Sequence, residues 1–195
     1  FIDVNLNFLL VYNHSHSLPP ILYRVTGSWC NHEGSMLLIA VIIAAYGAVI
    51  ASDKKIINKS GEQTVNYNIT ALLVILLMEL IILNFIIFTS NPFARNVIFS
   101  EDGMGFNPLL QDIGLALHPP LLYVGYFGLI VPFAYAIAGL LHENISKSYV
   151  KYFKKYTLIA WAFLTLGIGL GSWWAYRELG WGGYWFWDPV ENASL

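Results

Sequence analysis

The stretch Ile69-Thr70-Ala71-Leu72-Leu73-Val74-Ile75-Leu76-Leu77-Met78-Glu79-Leu80-Ile81-Ile82-Leu83-Asn84-Phe85-Ile86-Ile87-Phe88 decides the fold. A helix rises about 1.5 Å per residue, so this segment is long enough to cross a hydrocarbon layer about 30 Å thick. Residues 35–51, 121–141 and 156–176 read the same way, the first being the shortest. Composition agrees: 57% of the residues are hydrophobic and 11% charged, whereas a globular domain carries roughly 25% charged residues, and the mean hydropathy is +0.58. The expected fold class is an all-α membrane protein with about four transmembrane helices and an external tryptophan-rich segment. Residues 1–12 are apolar but interrupted by Asp3, Asn5 and Asn7, which predicts an interfacial or extended segment. The chain starts at Phe1 without a basic leader and small-residue cleavage site, and we expect further residues upstream. A net charge of -2, with no basic run interleaved with aromatics, excludes nucleic acid as a partner.

Charge placement predicts the topology. Lys54, Lys55 and Lys59 lie in the loop 52–68, and Lys147, Lys151, Lys154 and Lys155 in the loop 142–155, together seven of the ten basic residues. Four consecutive spans put both loops on one side, which the positive-inside rule makes the cytoplasm or matrix. Residues 1–34, 89–120 and the tail from Trp173 then share the opposite side.

That tail ends in Gly180-Trp181-Gly182-Gly183-Tyr184-Trp185-Phe186-Trp187-Asp188-Pro189-Val190-Glu191-Asn192-Ala193-Ser194. Indole rings offer apolar faces and an N–H donor, so a flat, polar-edged macrocycle such as haem justifies so much aromatic surface. An interfacial belt accounts for Trp173, Trp174 and Tyr176 equally well. It accounts poorly for Trp181, Trp185 and Trp187 beside Gly182, Gly183 and Asp188-Pro189. In a helix Trp181, Trp185 and Asp188 share one face, which we read as a haem-apposed platform. Arg177 is suited to a haem propionate, and equally to a salt bridge with Glu178 or Asp188.

His118 precedes Pro119-Pro120, residues suited to the first turn of a helix, which puts the imidazole near a helix cap at the membrane surface. From the residues alone, an iron ligand and a capping histidine weigh equally. His32-Glu33 lacks the second histidine of a zinc pattern, since position 36 is Met36, and Asn31 is the expected N-cap of the helix that follows. His14 and His16 fall in an expected exposed loop and His142 on the solvated basic side. Cys30, the single cysteine, excludes an internal disulfide and covalent haem attachment through a CxxCH pair. Glu79 falls midway along its span, where a charge costs about 2.5 to 3.5 kcal/mol on insertion scales. It requires protonation, a polar neutral partner such as Tyr46, Asn84 or Thr165, or a helix from another subunit.

The tryptophan-rich stretch resembles the WWD signature of membrane haem-handling proteins. Trp29-Cys30-Asn31-His32-Glu33-Gly34-Ser35, Thr89-Ser90-Asn91-Pro92-Phe93, and Asn107-Pro108-Leu109-Leu110-Gln111-Asp112-Ile113-Gly114 running into His118-Pro119-Pro120 narrow the resemblance to the CcmF-type cytochrome c haem lyase family. The resemblance implies that residues 1–195 form a single membrane domain, one piece of a split protein, with residues 173–195 a truncated haem-apposed segment. It implies His118 as metal ligand of a noncovalent b-type haem, with Trp173, Trp174, Arg177, Trp181, Trp185, Trp187 and Asp188 around the cofactor. In that family the other haem ligands follow the tryptophan motif, so the implied ligand set is incomplete. The resemblance further implies a sister haem-lyase polypeptide carrying the missing histidines, a haem-delivery protein, apocytochrome c and membrane lipids as partners. Catalysis, as holocytochrome c synthase, would be mainly positional and need the second subunit. A noncatalytic accessory subunit of a respiratory complex is the competing expectation, and a haem transporter of the same superfamily a weaker one. A split chain rich in Ile, Asn and Lys, as in AT-rich coding, leads us to expect the mitochondrial inner membrane with the haem motif facing the intermembrane space; the alternative is a bacterial plasma membrane.

Overall fold

A computed structural model describes residues 1–52, 62–142, 147–180 and 193. Seven α-helices are formed among them: α1 (Leu9–His14), α2 (Ile21–Thr26), α3 (His32–Ser52), α4 (Glu62–Thr89), α5 (Ile113–Gly128), α6 (Ile130–Leu141) and α7 (Lys147–Glu178). The described residues contain no β-strand, only one antiparallel bridge between Phe8 and Arg95. Four helical runs are long and apolar enough to cross a membrane: His32–Ser52, Asn66–Thr89, Ile113–Leu141 and Phe153–Glu178. The chain is an all-α integral membrane protein.

The third span corrects the sequence reading. It begins at Ile113 rather than at 121, so His118, Pro119 and Pro120 lie inside α5 and not at its cap. The true N-cap is Asp112, whose Oδ1 accepts from the amides of Gly114 at 2.7 Å and Leu115 at 3.2 Å. A side-chain acceptor there satisfies amides that have no partner inside the helix. The span is interrupted at Leu129, between α5 and α6. Pro132 has no amide hydrogen for the Gly128 carbonyl, four residues earlier, which explains a break at this place.

The core lies toward the basic-loop end, where α3, α4 and α6 meet. Ile43, Ile50, Ala71, Ile75, Val131 and Ala134 are buried together there. Buried Tyr67 donates its hydroxyl to the Tyr135 carbonyl at 2.7 Å, and the Tyr135 hydroxyl donates to Asn68 Oδ1 at 3.2 Å, so the polar ends of these large rings are not left unpaired. Helix α4 turns Ala71, Ile75 and Ile86 inward and leaves Leu73, Leu76, Leu77 and Leu80 exposed, the arrangement expected of a bundle facing lipid.

At the other end, the segments before α3 and between α4 and α5 lock together. The Leu9 amide donates to the Ala94 carbonyl at 2.9 Å, Asn96 to Asn7 at 2.9 Å, and Met104 to Tyr12 at 2.7 Å. Asp102 accepts from the Ser17 amide at 3.1 Å and from the Ser17 hydroxyl. The N-terminal segment contains two short helices, and α1 begins within residues 1–12, for which the sequence predicted an interfacial or extended segment.

Candidate functional site

The seam between α5 and α7 is built on glycine. A Cβ at Gly125 would lie 2.4 Å from the Leu164 backbone nitrogen, and one at Gly167 2.7 Å from that of Leu122, so these two helices approach as only bare backbone allows. His118 points into this seam: a Cβ at Gly171 would lie 2.6 Å from its Nδ1. The imidazole Nδ1 is 2.6 Å from the Gly167 carbonyl oxygen. A carbonyl can only accept, so Nδ1 carries the proton and the neutral ring keeps its lone pair at Nε2. A backbone carbonyl holding the far nitrogen is the arrangement that orients metal-ligating histidines. The donor chemistry therefore fits one axial ligand of a haem. His118 is not at the surface cap that Pro119-Pro120 suggested; it is held between two spans.

Trp173 packs on the start of α5. A Cβ at Gly114 would sit 3.1 Å from the indole Cε3, and the Arg177 guanidinium stacks over the Trp173 ring at 4.5 Å from its centroid. Trp174 donates Nε1 to the Leu109 carbonyl at 3.2 Å. Arg177 pairs through Nη2 with Asp112 Oδ2, and through Nε with Glu178 Oε1 at 3.0 Å. Helix α7 ends at Glu178, and Gly180 with φ +61° supplies the left-handed residue that commonly follows a helix end. Trp181, Trp185, Trp187 and Asp188 lie outside the described residues.

The remaining candidates have local roles. Asn31 caps α3, its Oδ1 accepting from the Gly34 amide at 2.6 Å, and His32 Nε2 bonds the Ser90 hydroxyl at 2.7 Å, tying α3 to the end of α4. His14 is half-buried at the end of α1 rather than in an exposed loop, and burial holds its pKa below 6.5, partly offset by Glu33. His16 Nδ1 lies 3.4 Å from Asp102, and exposed His142 bonds Thr70 Oγ1 through Nε2 at 2.8 Å. Burial pushes the Cys30 thiol up to about 11, so it stands as the neutral thiol at neutral pH. Among the described residues no group of three His, Cys, Asp or Glu is placed to hold a metal ion. An apolar cavity of about 260 Å³, lined by Phe1, Phe8, Val11, Leu37, Pro92 and Phe93, contains none of the candidate site residues.

Glu79 has a buried Oε2 with no hydrogen-bond partner among the described residues. Each of its three expected partners donates to a backbone carbonyl instead: Tyr46 to Val124 at 2.9 Å, Asn84 to Leu80 at 2.7 Å, and Thr165 to Trp161 at 2.8 Å.

Sequence reasoning missed Asp112, Trp29 and the glycine seam, although signals existed. An Asp directly before an apolar helical run marks an N-cap, and Gly167-x-x-x-Gly171 is the small-residue spacing of close-packed membrane helices.

Residues 29–195 match the family described as Cytochrome C assembly protein. The chain is 48% identical over its whole length to the cytochrome c-type biogenesis protein ccl1 of Rhodobacter capsulatus, of which it covers 29%. It is 48% identical over 95% of its length to the cytochrome c-type biogenesis protein CycK of Rhizobium meliloti, covering 26% of that protein. To the cytochrome c-type biogenesis protein CcmF of Escherichia coli it is 47% identical over 95% of its length, covering 28%. The chain thus spans less than a third of the length of these relatives. No solved structure matches it.

Proposed function

Because the chain belongs to the Cytochrome C assembly protein family, we propose that it is the haem-presenting subunit of a cytochrome c haem lyase. His118 carries this reading: its Nδ1 is spent on the Gly167 carbonyl 2.6 Å away, which leaves Nε2 as an oriented lone pair. Bound haem would supply the vinyl groups that join the cysteines of apocytochrome c. The chain's own residues bind and orient: His118 offers one axial nitrogen, the glycine seam fixes its ring, and the tryptophan-rich tail from Trp173 covers the cofactor. Positioning of this kind is worth a large share of a barrier when both reactants are held.

The chain spans less than a third of the length of these relatives, and we propose a sister polypeptide as the source of the second axial ligand and the partner surface. A haem-delivery protein and the apocytochrome complete the set. We assign the chain to the mitochondrial inner membrane with the haem motif facing the intermembrane space. The relatives named above are bacterial, and a bacterial plasma membrane is the alternative.

A noncatalytic accessory subunit is the second reading. It is favoured by Trp174 and Arg177, whose polar atoms are already engaged by Leu109, Asp112 and Glu178 of the same chain. The two readings separate at His118. In the intact partner complex, His118→Gly removes the nitrogen, and the haem spectrum changes or is lost; added imidazole restores it. In an accessory subunit the same change removes one hydrogen bond, about 0.5 to 1.5 kcal/mol, and haem content stays at the parental level.

A further inference from the structure

Asp112 divides its work between two oxygens. Oδ1 caps α5 through the amides of Gly114 and Leu115, while Oδ2 meets Arg177 Nη2 at the end of α7. The carboxylate side chain is 6% exposed and the guanidinium 40%. Arg177 is 65 residues away from Asp112 in sequence, yet it also stacks on Trp173, which lies against Gly114. Farther along the same seam His118 crosses to Gly167. The two polar links join the same pair of helices, so a slip of α7 along α5 alters both.

We propose that Asp112 and Arg177 form a positioning latch that sets the register of α7 on α5 and thereby the aim of His118 Nε2. The proposal rests on the haem-presenting reading above. Arg177 then acts through the seam rather than as a propionate ligand, since its charge is met by two carboxylates of its own chain.

Asp112→Asn isolates the latch. Asparagine caps a helix about as well as aspartate, so α5 keeps its first turn, while the new amide turns a donor toward Arg177. Phenylglyoxal labelling of the purified partner complex, read by mass spectrometry, reports Arg177 without reference to haem, with exposed Arg95 as internal reference. Parent Arg177 should react more slowly than Arg95, and Asp112→Asn should speed its labelling about fivefold, the release expected of a half-exposed ion pair. The haem band and midpoint potential of the same complex should shift. Arg177→Gln should shift them alike, and the double variant should go no further, as expected of two residues acting through one contact. Faster labelling with parental haem band and potential overturns the latch, because the pair is then merely structural. Unmoved labelling overturns it as well. His118→Gly run in parallel keeps the two failures apart: parental haem content there overturns the haem reading and the proposal with it, whereas haem loss there with an unresponsive Asp112→Asn overturns the latch alone.

Discussion

Pro120 sits inside α5 without an amide hydrogen for the Ala116 carbonyl one turn earlier. That carbonyl accepts instead from Trp29 Nε1 at 3.1 Å, an indole arriving from the segment before α3. Such a repair is why a Pro-Pro pair that reads as a helix start is tolerated in mid-helix, and why His118 lies deeper than the sequence implied. Trp29→Phe keeps the ring and removes the donor, so we expect a loss of about 1 to 3 kcal/mol, the cost of leaving a buried acceptor unpaired. Pro120→Ala restores the missing amide, and in the Trp29→Phe background it should recover much of that loss. Thermal unfolding of the purified complex measures both; equal melting of Trp29→Phe and the parent would rule out the repair. The placement of His118 was illegible because the compensating donor is 91 residues away from Pro120 in sequence. Local rules put a proline pair in the first turn of a helix without knowing what comes from elsewhere.

The elements themselves were more legible. A membrane span needs only length and apolarity, and all four were found, each lengthened by polar or proline-bearing turns that the hydropathy pattern does not reward. The meeting of the external segments was legible from span parity alone; the contacts that lock them were not, since they run through backbone amides and short polar side chains. Asp102 is the hub of that layer. The Ser17 hydroxyl chiefly holds its pKa below 3.8, helped by the Gly103 and Ser17 amides and by His16, against opposing desolvation. A carboxylate held low contributes stability that is present above 3.8 and lost as pH falls through its folded value. His14, held below 6.5 by burial, favours the neutral ring, so its contribution is full above 6.5 and declines below it as the unfolded chain takes up the proton. Acidification should therefore loosen the external layer in two stages, beginning below pH 6.5 at α1 and continuing below pH 3.8 at the Ser17–Asp102 contact. Hydrogen exchange of residues 9–17 and 100–105 follows it, and His14→Gln should remove the first stage while leaving the second. Uniform exchange across pH 7 to 5 would count against the role of His14.

At the scale of the whole molecule, a buried Glu79 oxygen without a hydrogen-bond partner among the described residues leaves room for a helix of a sister polypeptide. A neutral carboxyl is cheaper in a membrane than a charged one, so Glu79→Gln should assemble with the sister polypeptide as the parent does, while Glu79→Lys should not. Loss of the partner in Glu79→Gln, seen on purification in mild detergent, would mean instead that an ionised carboxylate meets a cation of that partner. The bundle also needs one orientation, and the basic residues define it: Lys54, Lys55 and Lys59 fall between the first two spans and Lys147, Lys151, Lys154 and Lys155 in the first turns of α7, whereas Arg24, Arg95 and Arg177 belong to the opposite end. Short loops rich in Lys or Arg stay on the side of synthesis, which leaves the layer around Asp102, the N-cap of α5 and the end of α7 facing outward. On the haem-presenting reading proposed above, that side has to be the one where apocytochrome c is found. With the proposed mitochondrial location, protease added to intact mitoplasts should cut within residues 90–112 and spare residues 53–61. Cleavage of the lysine-bearing loop with protection of the other would invert the bundle and count against the proposed haem-presenting role.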